Sequence, residues 1–159
     1  MRRVLAAFLL LAPAAAGAAS AGLCAASETS FFSCQTAGKK WIGLCGSATG
    51  AVQYRFGAPG RIELQYPADP ADAVSSLHLT HYARFDADRS ELTFSNQGVG
   101  YALFAYREHG KQSAGVRVAI AGGKEREIAC AGRIVSHLPR LRGVLRCAPD
   151  NALSLGECD

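Results

Sequence analysis

The chain has 159 residues, with 17 Lys and Arg against 13 Asp and Glu and a formal net charge of +4. Two of the arginines sit at the very N-terminus; without them 15 basic residues face 13 acidic ones, a net of +2. That balance gives no reason to expect nucleic acid as a partner. A chain of this length forms one domain with a core of its own, so disulfides add to that core rather than replace it.

Arg2 and Arg3 precede an apolar run over residues 4–11, Pro13 and a small-residue stretch. This is the order of a secretory signal peptide. Ala19-Ser20-Ala21 fits the small-x-small rule, which puts cleavage after Ala21, with Ala19 as the second choice. Leu23 before Cys24 speaks against a lipid anchor. The apolar run is too short to span a bilayer, and no other stretch reads as a transmembrane segment. The expected organisation is a signal peptide over 1–21 and a single β domain over 22–159, periplasmic or secreted.

Residues 31–66 carry the clearest structural signals. Val52, Tyr54 and Phe56 alternate with Gln53 and Arg55; Ile62, Leu64 and Tyr66 alternate with Arg61, Glu63 and Gln65. A period of two marks a strand buried on one face. Gly57-Ala58-Pro59-Gly60 between the runs reads as a hairpin turn. Before them, Phe32 and Cys34 share a strand face, as do Trp41, Gly43 and Cys45, with a turn at Ala37-Gly38.

Farther on, residues 66–76 (YPADPADAVSS) read as a loop. Residues 77–85 and 91–95 read as strands flanking an Asp86-Ala87-Asp88 turn. Residues 101–107 (YALFAYR) are apolar on both faces and predict a central strand. Val116, Val118 and Ile120 start a second hairpin that turns at residues 121–124 and returns to Cys130. After Cys130 strand alternation ends; Ser136 reads as the cap of a helical segment that Pro139 and Gly143 hold to about two turns. The fold class predicted is all-β: one antiparallel sandwich or small barrel of seven to nine strands with a short C-terminal helical segment, disulfide-bonded.

All six cysteines follow the leader, and an even number in an exported chain reads as three disulfides. With a turn at Ala37-Gly38, Cys34 faces Trp41 and Cys45 faces Ser30. Those two cysteines are then roughly 13 Å out of register at about 3.3 Å per residue, beyond the ~7 Å a disulfide allows. Of the 15 connectivities six cysteines permit, the preferred one is Cys34–Cys130, Cys147–Cys158 and Cys24–Cys45. No C-x-x-C pair suggests a zinc site.

Few residues suggest chemistry. His78 and His81, three apart on a strand, point to opposite faces and cannot chelate one ion. Gly46-Ser47-Ala48-Thr49-Gly50 lacks the order of a nucleophile elbow. Gly122-Gly123-Lys124 joins two strands and is no phosphate loop. Asp86, Asp88 and Glu91 cluster at a turn without the calcium-loop pattern. No cofactor is expected. What remains is charge asymmetry. Residues 60–109 hold four Arg against seven acids, whereas residues 110–149 hold eight Lys and Arg against two Glu. Within the second block Arg133, Arg140, Arg142 and Arg146 lie near Leu138, Leu141 and Val144, the arginine-plus-apolar composition of an interface. These four arginines are the candidate binding residues, for an anionic partner.

The phrases FFSCQTAGKKWIGLC, YRFGAPGRIELQYP, SAGVRVAIAGGKEREIAC and LRGVLRCAPDNAL together resemble a set of small exported proteobacterial proteins of uncharacterised role. The resemblance implies a secreted, disulfide-bearing β domain and supplies no activity. More loosely, the chain is similar to the small periplasmic β-barrel lysozyme inhibitors, which also pair a cysteine of an early aromatic-rich strand with one of a late strand. Phe32-Ser33-Cys34 and Ile128-Ala129-Cys130 are the matching positions. The inhibitors' Ser-Gly-x-x-Tyr loop has no counterpart, Ser113-Ala114-Gly115 included. The function expected is a non-enzymatic exported domain that binds an envelope component or another macromolecule. The alternatives are inhibition of a lysozyme or protease and, third, a hydrolase of unrecognised type.

Overall fold

A computed structural model describes residues 22–154 and Cys158; the proposed signal peptide lies outside the described residues. Nine strands follow in order: β1 (Thr29–Thr36), β2 (Trp41–Gly46), β3 (Val52–Ala58), β4 (Arg61–Tyr66), β5 (His78–Arg84), β6 (Ala87–Asn96), β7 (Val99–Glu108), β8 (Lys111–Ile120) and β9 (Arg126–Ser136). All neighbours pair antiparallel, in the order β4-β3-β2-β1-β9-β8-β7-β6-β5.

The all-β expectation is met: nine antiparallel strands form one sheet curled into a half-barrel, left open where β4 and β5 do not pair. The curl comes from β9. Its first half pairs with β8, from Arg126 to Ala129; its second half pairs with β1, from Cys130 to Ser136. Thr36 faces Cys130 and Cys34 faces Ile134, so two residues of β1 span four of β9. The extra residues form a bulge with Gly132 at φ +97°, a region that favours glycine. At Gly115 of β8 a side chain would meet the Ile128 carbonyl at 2.5 Å, so glycine lets the two strands close in where the sheet turns.

The curl brings β1–β3 face to face with β5–β8. Phe31, Phe32, Ile42, Leu44, Val52 and Tyr54 meet Leu79, Leu92, Phe94, Leu103 and Val116 in one core. Each such large side chain contributes about 1.5–3 kcal/mol when fully buried. Tyr66, Phe94 and Tyr101 stack in series at 4.8 Å spacings, joining the two halves. Between β4 and β5, residues read as a loop contain a 3-10 turn (Pro70–Asp72) and a one-turn helix α1 (Ala73–Ser76). Asp69 caps the turn by accepting from the Ala71 N–H at 2.9 Å, with proline in the first turn. At the other end of the chain, Leu138–Leu141 form a 3-10 turn. Ser136 does not cap it; that residue closes β9.

The three disulfides are Cys24–Cys45, Cys34–Cys130 and Cys147–Cys158, as preferred from the sequence. The register supports the argument against Cys34–Cys45, with one change. Cys45 does face Ser30, but Cys34 faces Ile42 rather than Trp41, because the turn is one residue longer than Ala37-Gly38 allows. Six paired thiols are the chemistry of an oxidising, non-cytoplasmic compartment. No helix among the described residues is long and apolar enough to cross a membrane.

Two terminal segments cover the outside of this sheet. Residues 22–28 lie over β2 and β3, where Gly43 leaves room for Leu23 at 3.4 Å. Glu28 receives a two-pronged ion pair from Arg55, at 2.6 and 2.7 Å, and Arg55 also donates to the Leu23 carbonyl. The Arg55 hydrogen bonds hold the Glu28 carboxyl below its usual range. The C-terminal segment leaves the core at Leu145 and crosses the free edge of β5, where the Leu79 N–H donates to the Arg146 carbonyl at 2.7 Å.

Candidate functional site

The four candidate arginines are all exposed. Arg133 sits in the bulged part of β9, Arg140 in the 3-10 turn, Arg142 just after it, and Arg146 beside β5. The last three belong to one segment; Arg133 lies apart on the sheet. Leu138, Leu141 and Leu145 of that segment are buried in the core. The expected mixture of arginine with exposed leucine is therefore absent: the leucines fix the segment and the arginines face water.

Their isolation from acids is the notable feature. Of the seven Lys and Arg in residues 22–109, four are ion-paired: Lys40 with Glu63 at 2.6 Å, Arg61 with the same Glu63, Arg55 with Glu28 and Arg89 with Glu108. Lys39, Arg84 and Arg107 have no carboxylate within 4.0 Å among the described residues. Of the eight basic residues in 110–149 only Arg117 is ion-paired among the described residues, with Glu91. Lys111, Lys124, Arg126 and the four candidates have no carboxylate within 4.0 Å among the described residues. Uneven composition has become an uneven surface.

A second cluster was not foreseen. Glu91, only 7% exposed, points outward from β6 yet is covered. It accepts from Arg117 of β8 and the Tyr106 hydroxyl of β7, and Asn151 of the C-terminal segment donates to it at 2.7 Å. Arg117 also donates to the Tyr106 oxygen at 2.8 Å and lies over the Phe104 ring. Burial and the neighbouring carboxylate push the Tyr106 hydroxyl up to about 12. It stays protonated at neutral pH. The cluster holds no nucleophile and reads as a lock for the C-terminal segment. In sequence, Glu91 begins a short strand and clusters with Asp86 and Asp88 at a turn; nothing local announces a partner 60 positions away.

His81, Ser90 and Asp88 also meet. The His81 Nδ1 lies 3.0 Å from the Ser90 Oγ and 3.9 Å from an Asp88 oxygen. A catalytic triad needs serine on one ring nitrogen and the acid on the other; here one nitrogen faces both. His78 and His81 lie on opposite faces, opposite Thr93 and Ser90. Among the described residues no three His, Cys, Asp or Glu side chains are placed to hold a metal ion. The C-terminal segment and β5 enclose a cavity of about 260 Å³ bordered by Thr80, Tyr82, Arg142 and Leu153.

Comparison with family models, with curated proteins and with solved structures finds no match to this chain.

Proposed function

We propose that this protein is a periplasmic or secreted, non-enzymatic binding domain that takes an anionic envelope component or macromolecule on its C-terminal basic segment. The observation that carries the reading is the contrast in charge pairing: Arg133, Arg140, Arg142 and Arg146 are exposed with no acid partner among the described residues, while Lys40, Arg55 and Arg89 are each ion-paired. Arg140, Arg142 and Arg146, on a segment fixed by buried leucines, keep their donors available at little ordering cost. The single-nitrogen geometry at His81 supports the non-enzymatic side of the reading.

The test is binding to lipopolysaccharide and to peptidoglycan sacculi. The expected outcome is retention that weakens with salt and is lost when the four arginines are replaced by Gln. Equal retention by the quadruple variant, or none by the natural protein, sinks the proposal. A second reading, inhibition of a lysozyme, draws on the Cys34–Cys130 bond between an early and a late strand. It requires stoichiometric inhibition of a c-, g- or i-type lysozyme.

A further inference from the structure

The cavity beside β5 has an open strand edge as one wall. The Leu79 N–H uses that edge to reach the Arg146 carbonyl. Alternate residues of an antiparallel strand face the same edge, so the His81 N–H and C=O point there as well. Among the described residues neither has a backbone partner on that side, because the C-terminal segment diverges after one bridge. Thr80 is 3% exposed, and its hydroxyl oxygen is buried without a hydrogen-bond partner at the cavity wall. Leu79, Leu145 and Leu153 supply apolar surface; Arg142 borders the same space, and among the described residues no acid does.

We propose that this edge, with Arg142 beside it, is a docking groove for the C-terminal end of an extended peptide. The peptide backbone adds to the His81 edge, its terminal carboxylate meets the Arg142 guanidinium, and its last apolar side chain enters the leucine-lined space. Strand addition and carboxylate capture are established recognition modes, and each needs the kind of unpaired group found here. The volume, about 260 Å³, lies just below the ~300 Å³ where small-ligand sites begin. It therefore suits a terminal residue or two. The proposal deepens the anionic-partner reading and rests on it.

The test uses the full oxidised chain and an N-acetylated tetrapeptide ending in leucine, in three forms: free acid, C-terminal amide, and free acid methylated on the amide nitrogen that pairs with the strand. The acid is expected to bind and to shift the His81 amide resonance. The amide is expected to bind about tenfold or more weakly, since a charge-assisted contact is lost, and the methylated acid is weakened too. Arg142→Gln, a change at an exposed side chain, is expected to abolish the difference between acid and amide; Arg133→Gln keeps it. Equal affinity for acid and amide, an unmoved His81 resonance, or no binding of the acid at about 1 mM overturns the inference. A protein that ignores the acid but still retains lipopolysaccharide overturns this inference alone. Loss of both overturns the reading beneath it.

Discussion

The two terminal segments solve one problem in different ways. Each covers the outside of the curled sheet, and each has a disulfide and a carboxylate-centred cluster. In residues 22–28 the acid, Glu28, belongs to the cover, and its arginine to the sheet. Cys24 bonds to Cys45 of β2, so the disulfide also joins cover to sheet. At the C-terminus the ion pair, Glu91 with Arg117, lies wholly within the sheet, and among the described residues the cover adds only the neutral amide of Asn151. Its disulfide joins Cys147 to Cys158, within the segment itself. The N-terminal cover is thus fastened by charge and by a covalent bond. The C-terminal one is held by burial of Leu138, Leu141 and Leu145 and by neutral hydrogen bonds.

The sharpest break of this comparison is Cys24→Ser with Cys45→Ser. It opens a link across 21 residues, worth about 3 kcal/mol in the chain-entropy account, and amide exchange should rise throughout 22–28. The matching Cys147→Ser and Cys158→Ser pair should leave exchange in β1–β4 unchanged. Next comes Glu91→Gln, which leaves the half-buried Arg117 without its counter-charge. The expected loss is about 2 kcal/mol in urea unfolding, below the value for a fully buried pair because Arg117 keeps some contact with water. Asn151→Ala should cost about 1 kcal/mol and raise exchange in the C-terminal segment alone, since the ion pair stays intact.

The smallest effects are titrations. Arg55 depresses Glu28 below 4.5, so its stabilising contribution is complete above pH 4.5 and lost as pH falls through the lower folded value. Glu28→Gln should flatten that limb of a stability profile. Tyr106 is raised from 10.0 to about 12, so its contribution is complete below pH 10 and lost as pH rises through 12. Tyr106→Phe should remove the tyrosinate step near pH 12 followed by ultraviolet absorbance and leave the still later one of Tyr54, which burial raises further.

Much of the fold was legible because a period of two survives in most strands. Tyr54 and Phe56, Ile62 and Leu64, Val116 and Val118 gave both hairpins of their regions. What failed marks where periodicity breaks. Phe31 and Phe32 are both fully buried because β1 bulges between Ser30 and Phe32. The second half of β9 looked irregular because its bulge shifts the alternation as the strand changes partner. The Asp69-Pro70 start signal was present but preceded a helix too short to show periodicity. The candidate arginines were legible as a composition. The Glu91 cluster was not, because three strands and a terminal segment contribute to it, and sequence carries no distance between them.

The place of β9 in the sheet has a consequence in time. Made from its N-terminus, the chain can close two separate meanders, β1 to β4 and β5 to β8, but their shared neighbour is the last strand to arrive. Until then β1 and β8 each present a bare margin, and Cys34 waits for Cys130 across 96 positions. Assembly of the whole is therefore a late event, gated by the closing stretch of synthesis, and truncation before Arg126, where β9 begins, should leave two unjoined halves rather than a smaller version of the same molecule.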